Sequence, residues 1–245
     1  MSRIAVTITT PDGLCSATLH TPLSAGPAVI LYTDAAGVRE TFAVMADRLC
    51  ALGYTVLLPD GYYRTPYAPF DVATVFSVPA ERERLTTLSR SVTAEMAVRD
   101  TGAYLDFLAG RPDVAGSTAG AVGYCLGGRF SLWAAAHHPS RVAAAASFHG
   151  GNLAAADDPA SPHLVAGQIR GALHVAAARN DNAFPADQHD RLRTALVAAG
   201  VRHTLETYQA EHGFAVPDNP TYDQPAEERH WAALKQLFAE NLPRA

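Results

Sequence analysis

Cys125 is the residue in this chain best placed to do covalent chemistry. It ends the small, apolar run Ala119-Gly-Ala-Val-Gly-Tyr124 and is followed by Leu126-Gly-Gly-Arg129 and Phe130-Ser-Leu-Trp-Ala-Ala-Ala136. That pattern reads as a short buried strand, one sharp turn and a helix. Gly123, Gly127 and Gly128 flank the turn, where the chain doubles back too tightly for a β-carbon. A strand–turn–helix of this kind holds the turn residue strained and exposed, the geometry of a G-x-S-x-G nucleophile elbow with sulfur in place of oxygen. The helix N-terminus then favours a thiolate, and the Leu126 N–H is offered to an oxyanion. A buried core cysteine at a strand end is the competing reading, and the motif alone leaves the two open.

Nucleophilic attack by a thiol on a carbonyl needs a proton carrier and a group that orients it. His212, in Glu211-His-Gly-Phe214, and Asp181, in Asn180-Asp-Asn182, are of the required types. Each also has an ordinary explanation, Asp181 as a turn or helix cap and His212 as one of 10 histidines. Asp34, in Thr33-Asp-Ala-Ala-Gly37, is a further candidate.

These residues have to be positioned by the elements around them. Ile4–Thr9 and Ala17–Thr21 alternate about Pro11-Asp12-Gly13, which predicts an opening hairpin. Pro27–Tyr32, Tyr54–Leu58, Val142–Phe148 and Ala172–Ala178 are apolar runs of strand length, the mark of strands buried on both faces. Between them apolar residues fall at helical spacing: Val38, Phe42, Met45, Leu49 and Leu52, closed by Gly53; then Met96, Asp100, Tyr104 and Leu108. The charged run Glu81-Arg-Glu-Arg84 is expected to precede that second helix. A helix over Pro185–Ala199, an alternating stretch Arg202–Tyr208 and a last helix with Trp231, Leu234, Leu237 and Phe238 complete the chain. Residues 61–80 have no periodicity, and a loop that long suggests function. Tyr62 and Tyr63 within it read as pocket walls or packing aromatics. Asn152–Gln168 reads as loop with one short helix.

Strands alternating with helices, without a break or repeat, predict one doubly wound α/β domain over 1–245, its core about 27–240. In such a sheet ligands bind beyond the carboxyl ends of the strands. Asp34, Cys125, Asp181 and His212 all fall at such ends. His149, after the run Val142–Phe148, also does, as a pocket residue or a strand cap.

Bulk properties narrow the function. The chain is 48% hydrophobic with net charge −5 and no basic cluster, which argues against nucleic acid as a partner. No apolar run approaches the ~20 residues of a membrane span, and the start lacks signal-peptide character. Three widely spaced cysteines suit a reducing compartment and offer no disulfide framework or zinc cluster, so Cys15 and Cys50 read as structural. A cytoplasmic protein, monomeric and without metal or cofactor, is expected.

With these residues in hand, the chain resembles the dienelactone hydrolase family of α/β-hydrolases. Gly123-Tyr-Cys-Leu-Gly-Gly128, Arg179-Asn-Asp181 with Pro185, Glu211-His-Gly-Phe214, and Asp34-Ala-Ala-Gly-Val38 through Leu58-Pro-Asp60 carry the resemblance. It implies a single α/β-hydrolase domain, with a mostly parallel central sheet, helices on both faces and an N-terminal hairpin. The implied activity is metal-independent hydrolysis of an ester or enol-lactone through a thioester. Cys125 matches the nucleophile, Asp181 the acid and His212 the histidine, with Leu126 and Ala35 N–H groups as the oxyanion hole. Asp34 stands where the family has a glutamate that contacts the thiol. Arg84, or Arg82 beside it, matches one of two arginines that grip a substrate carboxylate; the other's position holds Val216. Losing that contact points to a less anionic ester or lactone. The competing function is a catalytically silent hydrolase fold that binds a ligand. A glutamine amidotransferase is disfavoured, because His212 is followed by Gly213-Phe214 rather than by a glutamate two residues on.

Overall fold

The computed structural model describes residues 1–242. Along the chain run β1 (Ser2–Thr10), β2 (Gly13–Thr21), β3 (Gly26–Tyr32), α1 (Glu40–Ala51), β4 (Thr55–Pro59), α2 (Pro79–Arg90) and α3 (Ala94–Ala109). There follow β5 (Val114–Tyr124), α4 (Leu126–His137), β6 (Val142–Phe148), β7 (Ala172–Ala178), α5 (Ala186–Ala198), β8 (His203–Tyr208) and α6 (Gln224–Asn241). A short 3-10 helix, Pro162–Gln168, lies between β6 and β7. All eight strands form one sheet in the order β1-β2-β4-β3-β5-β6-β7-β8. The hairpin β1–β2 is antiparallel and joins β4 antiparallel, whereas β4, β3 and β5 through β8 are mutually parallel.

The apolar runs become central strands because each has two faces to bury. In β3, Ala28, Ile30 and Tyr32 face a core shared with α3 and α4, while Val29 and Leu31 face one shared with α1 and α6. Helices therefore cover both faces, as side-chain alternation along a buried strand requires.

One boundary differs from expectation. The Glu81–Arg84 run does not lead into the helix of Met96 and Leu108; it lies within a separate helix, α2. Pro79 at its first turn starts α2, and the Thr93 hydroxyl accepts from Met96 N at 3.2 Å to start α3 afresh. The segment before α2 has a small core of its own, in which Tyr62, Phe70, Val72 and Val75 pack on Leu85 and Leu88.

Four buried histidines make stability pH-dependent. Burial pushes the pKa of His230 down to about 3 and lowers those of His20, His149 and His174. His230 is used as a neutral ring: Nε2 pairs with the Tyr124 hydroxyl at 2.8 Å, and Nδ1 donates to Glu227 O at 3.0 Å. In the unfolded chain these groups protonate near 6.5, so below that pH the unfolded state binds more protons and stability falls. The contribution is complete above about pH 6.5 and shrinks as pH drops toward the depressed folded values. Urea unfolding midpoints are expected to be clearly lower at pH 5 than at pH 7. Equal midpoints would show that these rings are not neutral in the folded state.

Candidate active site

The sheet brings five polar residues to one rim. Asp34 follows β3, Cys125 β5, His149 β6, Asp181 β7 and His212 β8, and those five strands are consecutive neighbours. Cys125 lies between the last residue of β5 and the first of α4, with φ +52° and ψ −114°. A non-glycine residue holds such a conformation only where its surroundings over-determine it. Here Cys125 N donates to Phe148 O at 3.1 Å, Gly127 N to Thr33 O at 3.1 Å and Gly128 N to Cys125 O at 3.0 Å. The helix behind the sulfur is packed so closely on β5 that a β-carbon at Gly123 would lie 1.8 Å from Gly127 O.

His212 Nδ1 donates to Asp181 Oδ2 at 2.7 Å, and its side chain lines the same two cavities as Cys125. With Nδ1 spent on the carboxylate, Nε2 is the nitrogen left for sulfur. Burial by itself would lower the imidazole pKa. The charge of a Cys125 thiolate and the hydrogen bond to Asp181 outweigh burial and hold the pKa well above its ordinary value. Asp181 serves as both turn residue and orienter, because Oδ1 accepts from Ala183 N at 2.8 Å while Oδ2 faces the histidine. The histidine loop is tied down by the Thr221 hydroxyl, which donates to His212 O.

The loop after β3 is a turn closed by Gly37 N to Asp34 O at 3.1 Å. The Tyr62 hydroxyl donates to Ala35 O at 2.9 Å, so this tyrosine is a strut for the turn. Among the described residues no acceptor is found for the N–H groups of Ala35 and Leu126, and both residues line the cavity at Cys125.

Two expected site residues are used otherwise. Asp34 is not turned to the thiol alone: its Oδ1 and Oδ2 accept from Arg39 Nη1 and Nη2 at 2.7 and 2.8 Å, and Oδ1 also accepts from Ala36 N. Arg39 continues to Asp218, Nε to Oδ2 at 2.7 Å, and so links the Ala35 turn to the loop beyond His212. Asp34 still lines the cavity beside Cys125. Asp34→Glu is therefore expected to lower kcat several-fold, because the longer acid no longer fits the Arg39 fork. Unchanged or raised kcat would mean that the fork does not position the turn.

Arg84 is not brought to the cavity. Its guanidinium donates to Ala68 O at 2.7 Å, pairs with Glu81 at 2.6 Å and stacks 3.7 Å over the Phe70 ring. Helix α2 meets the cavity with Leu85, Thr86 and Ser89 instead; exposed Arg82 lies on that face of the helix, one turn before Leu85 and Thr86, but does not line the cavity. Val216 is fully buried among the apolar residues packed under α6, so no polar substrate contact is made there. His149 is 1% exposed with both ring nitrogens unpartnered, and its ring lies 5.1 Å from that of His212.

Two cavities meet at Cys125 and His212. One, of about 650 Å³, is lined by Arg129, Asn152, Arg179 and Asn180; the other, of about 440 Å³, by Asp34, Ala36, Val72, Val75 and His149. Arg129 and Arg179 were not among the expected site residues. Arg129 stands one helical turn after Cys125, a spacing that signals a shared face. No residue spacing foretells the Arg39 to Asp218 contact. Among the described residues no cluster of metal-ligating side chains occurs, and no helix is long and apolar enough to cross a membrane.

The chain is similar to known proteins in both sequence and fold. A Synechocystis protein provisionally named a carboxymethylenebutenolidase is 26% identical over 91% of this chain and 91% of its own. The carboxymethylenebutenolidase of Rhodococcus opacus is 24% identical over 89% and 82%. In fold, a Klebsiella pneumoniae protein provisionally described as a dienelactone hydrolase superposes with a TM-score of 0.81 at 22% identity, covering 98% of this chain and 100% of its own. The model of the dienelactone hydrolase family matches residues 15–242, nearly the whole α/β-hydrolase domain, and the chain belongs to that family of hydrolases.

Proposed function

We propose that the protein hydrolyses an ester or lactone by attack of the Cys125 sulfur, through a thioester acyl-enzyme. The observation that carries this is the Asp181–His212 hydrogen bond beside Cys125 at the elbow, with Cys125 and His212 lining the same two cavities. The sulfur adds to the carbonyl carbon, and the oxyanion is received by the N–H groups of Leu126 and Ala35. The C–O bond breaks, and cationic His212 gives its proton to the departing oxygen. Neutral His212 then takes a proton from water, which adds to the thioester; the C–S bond breaks and the acid leaves. Asp181 keeps the imidazole in the tautomer that presents Nε2 and stabilises its cation. The fixed turn at Ala35 keeps one oxyanion donor in place without reorganisation at the moment of reaction.

Core packing at Val216 and the occupied guanidinium of Arg84 support a substrate that is not held by a carboxylate clamp at those positions. The test is turnover of p-nitrophenyl acetate and of a dienelactone by wild type and Cys125→Ala side by side. Hydrolysis that requires Cys125 supports the reading, and hydrolysis that survives its loss overturns it.

A further inference from the structure

The two cavities that meet at the dyad differ in chemistry as well as place. The inner lobe is walled by Ala36, Val72 and Val75, all under 10% exposed, and by buried His149. Its one carboxylate, Asp34, already holds the fork of Arg39, whose remaining contacts go to Asp218. Among the described residues lining this lobe, the sole group able to carry positive charge besides buried His149 is His212, which is engaged by Asp181 and Cys125. An anion placed there would lose its hydration beside Asp34 with no cation to replace it.

The outer lobe is the reverse. Arg179 and Asn180 are exposed at its mouth, and no side-chain partner is found for the Arg179 guanidinium among the described residues. Arg129 pairs through Nη2 with Asp158, yet its Nε is buried in the lobe wall with no partner. The carboxamides of Asn152, Asn180 and Asn182 line the same space. Glu211 is the opposing charge at the mouth, since Asp181 is spent on His212.

Resting on the thiol-hydrolase reading, we infer that the substrate joins a small uncharged acyl group, seated in the inner lobe, to an alcohol or enol that carries an anionic group bound in the outer lobe by Arg179 and Arg129. The lobes fit the order of the reaction. The acyl group stays on Cys125 after the first step and occupies the enclosed side. The leaving group departs through the side that opens to solvent. The anion-binding groups are Arg179, at the end of β7, and Arg129, on α4. Neither coincides with Arg84 or Val216, so the charge of the substrate is read by residues of other elements.

Three small esters test this: phenyl acetate, 3-acetoxybenzoate, with its anion on the leaving group, and monophenyl succinate, with its anion on the acyl group. At low ionic strength wild type is expected to show kcat/KM about tenfold higher for 3-acetoxybenzoate than for phenyl acetate. Monophenyl succinate is expected to be the poorest of the three. In Arg179→Gln the ratio of 3-acetoxybenzoate to phenyl acetate should fall toward one, and Arg179→Lys should restore part of it. A ratio that is one or less in wild type, or that persists in Arg179→Gln, overturns the inference, as does a preference for monophenyl succinate. Cys125-dependent turnover of phenyl acetate without anion preference would overturn only this inference. Turnover of these esters that does not depend on Cys125, or its complete absence, would overturn the hydrolase reading with it. Arg179 is exposed, so its variants should fold, and a thermal melt verifies this.

Discussion

Cys125→Ala is expected to reduce ester hydrolysis by at least about 10⁴-fold, leaving only the residual rate that binding and the oxyanion donors supply. The size follows from what sulfur contributes. Without it there is no covalent intermediate, and His212 and Asp181 have nothing to deprotonate or stabilise. Members of such a set act as one unit, so adding His212→Ala should cost little more. The fold should be indifferent. Alanine keeps the β-carbon, and the backbone bonds that hold the strained φ of +52° come from Phe148, Thr33 and the first turn of α4 rather than from the thiol. The thermal midpoint should therefore change little while activity disappears. Wild type briefly exposed to p-nitrophenyl acetate should gain one acetyl group by intact mass, and Cys125→Ala none. A variant that remains active would move the nucleophile elsewhere and leave the oxyanion donors without their reaction.

The second large effect is on folding. Gly123→Ala is expected to destabilise the protein by about 4 kcal/mol or more, enough to make it insoluble or unfolded on expression. Gly123 pairs with Tyr32 on one side and Ser147 on the other, in the middle of the sheet. A β-carbon there would stand 1.8 Å from Gly127 O and 2.1 Å from Gly127 C. Those are backbone atoms of the helix that bears the sulfur, so no rotamer change relieves the overlap. Gly127 is locked in turn, since its own β-carbon would meet Tyr32 O and Thr33 O at 2.5 Å. Either β3 or α4 must move, and both carry the site. At exposed Gly167, where an added β-carbon meets nothing within 4 Å, alanine should be tolerated. A soluble Gly123→Ala protein with wild-type melting would show that α4 can ride farther from the sheet than the packing indicates.

Local patterns made much of this protein legible in its sequence. Apolar runs of strand length, such as Pro27–Tyr32 and Ala172–Ala178, have nowhere to go but the middle of a sheet covered on both faces. The elbow at Cys125 is readable because its constraint is local: glycines at fixed spacing are required wherever a helix crosses its own strand so closely. Asp181 and His212 could be placed because the ends of parallel strands share one rim, so knowing the strands locates the residues that follow them.

What the tertiary structure alone decided depends on contacts between distant segments. Arg39 and Asp218 are 179 residues apart, and their pairing turns Asp34 from a neighbour of the thiol into an anchor for the Ala35 turn. Arg84 lies in the expected part of the chain, but the register of α2 aims Leu85 and Ser89 at the cavity and leaves the arginine to Phe70 and Glu81. Arg129 and Arg179 enter the cleft from two elements that meet only when α4 packs beside the loop after β7. Spacing along one element shows which face a residue shares, because the geometry of helix and strand is fixed; which partner waits on that face is set by packing among all of them.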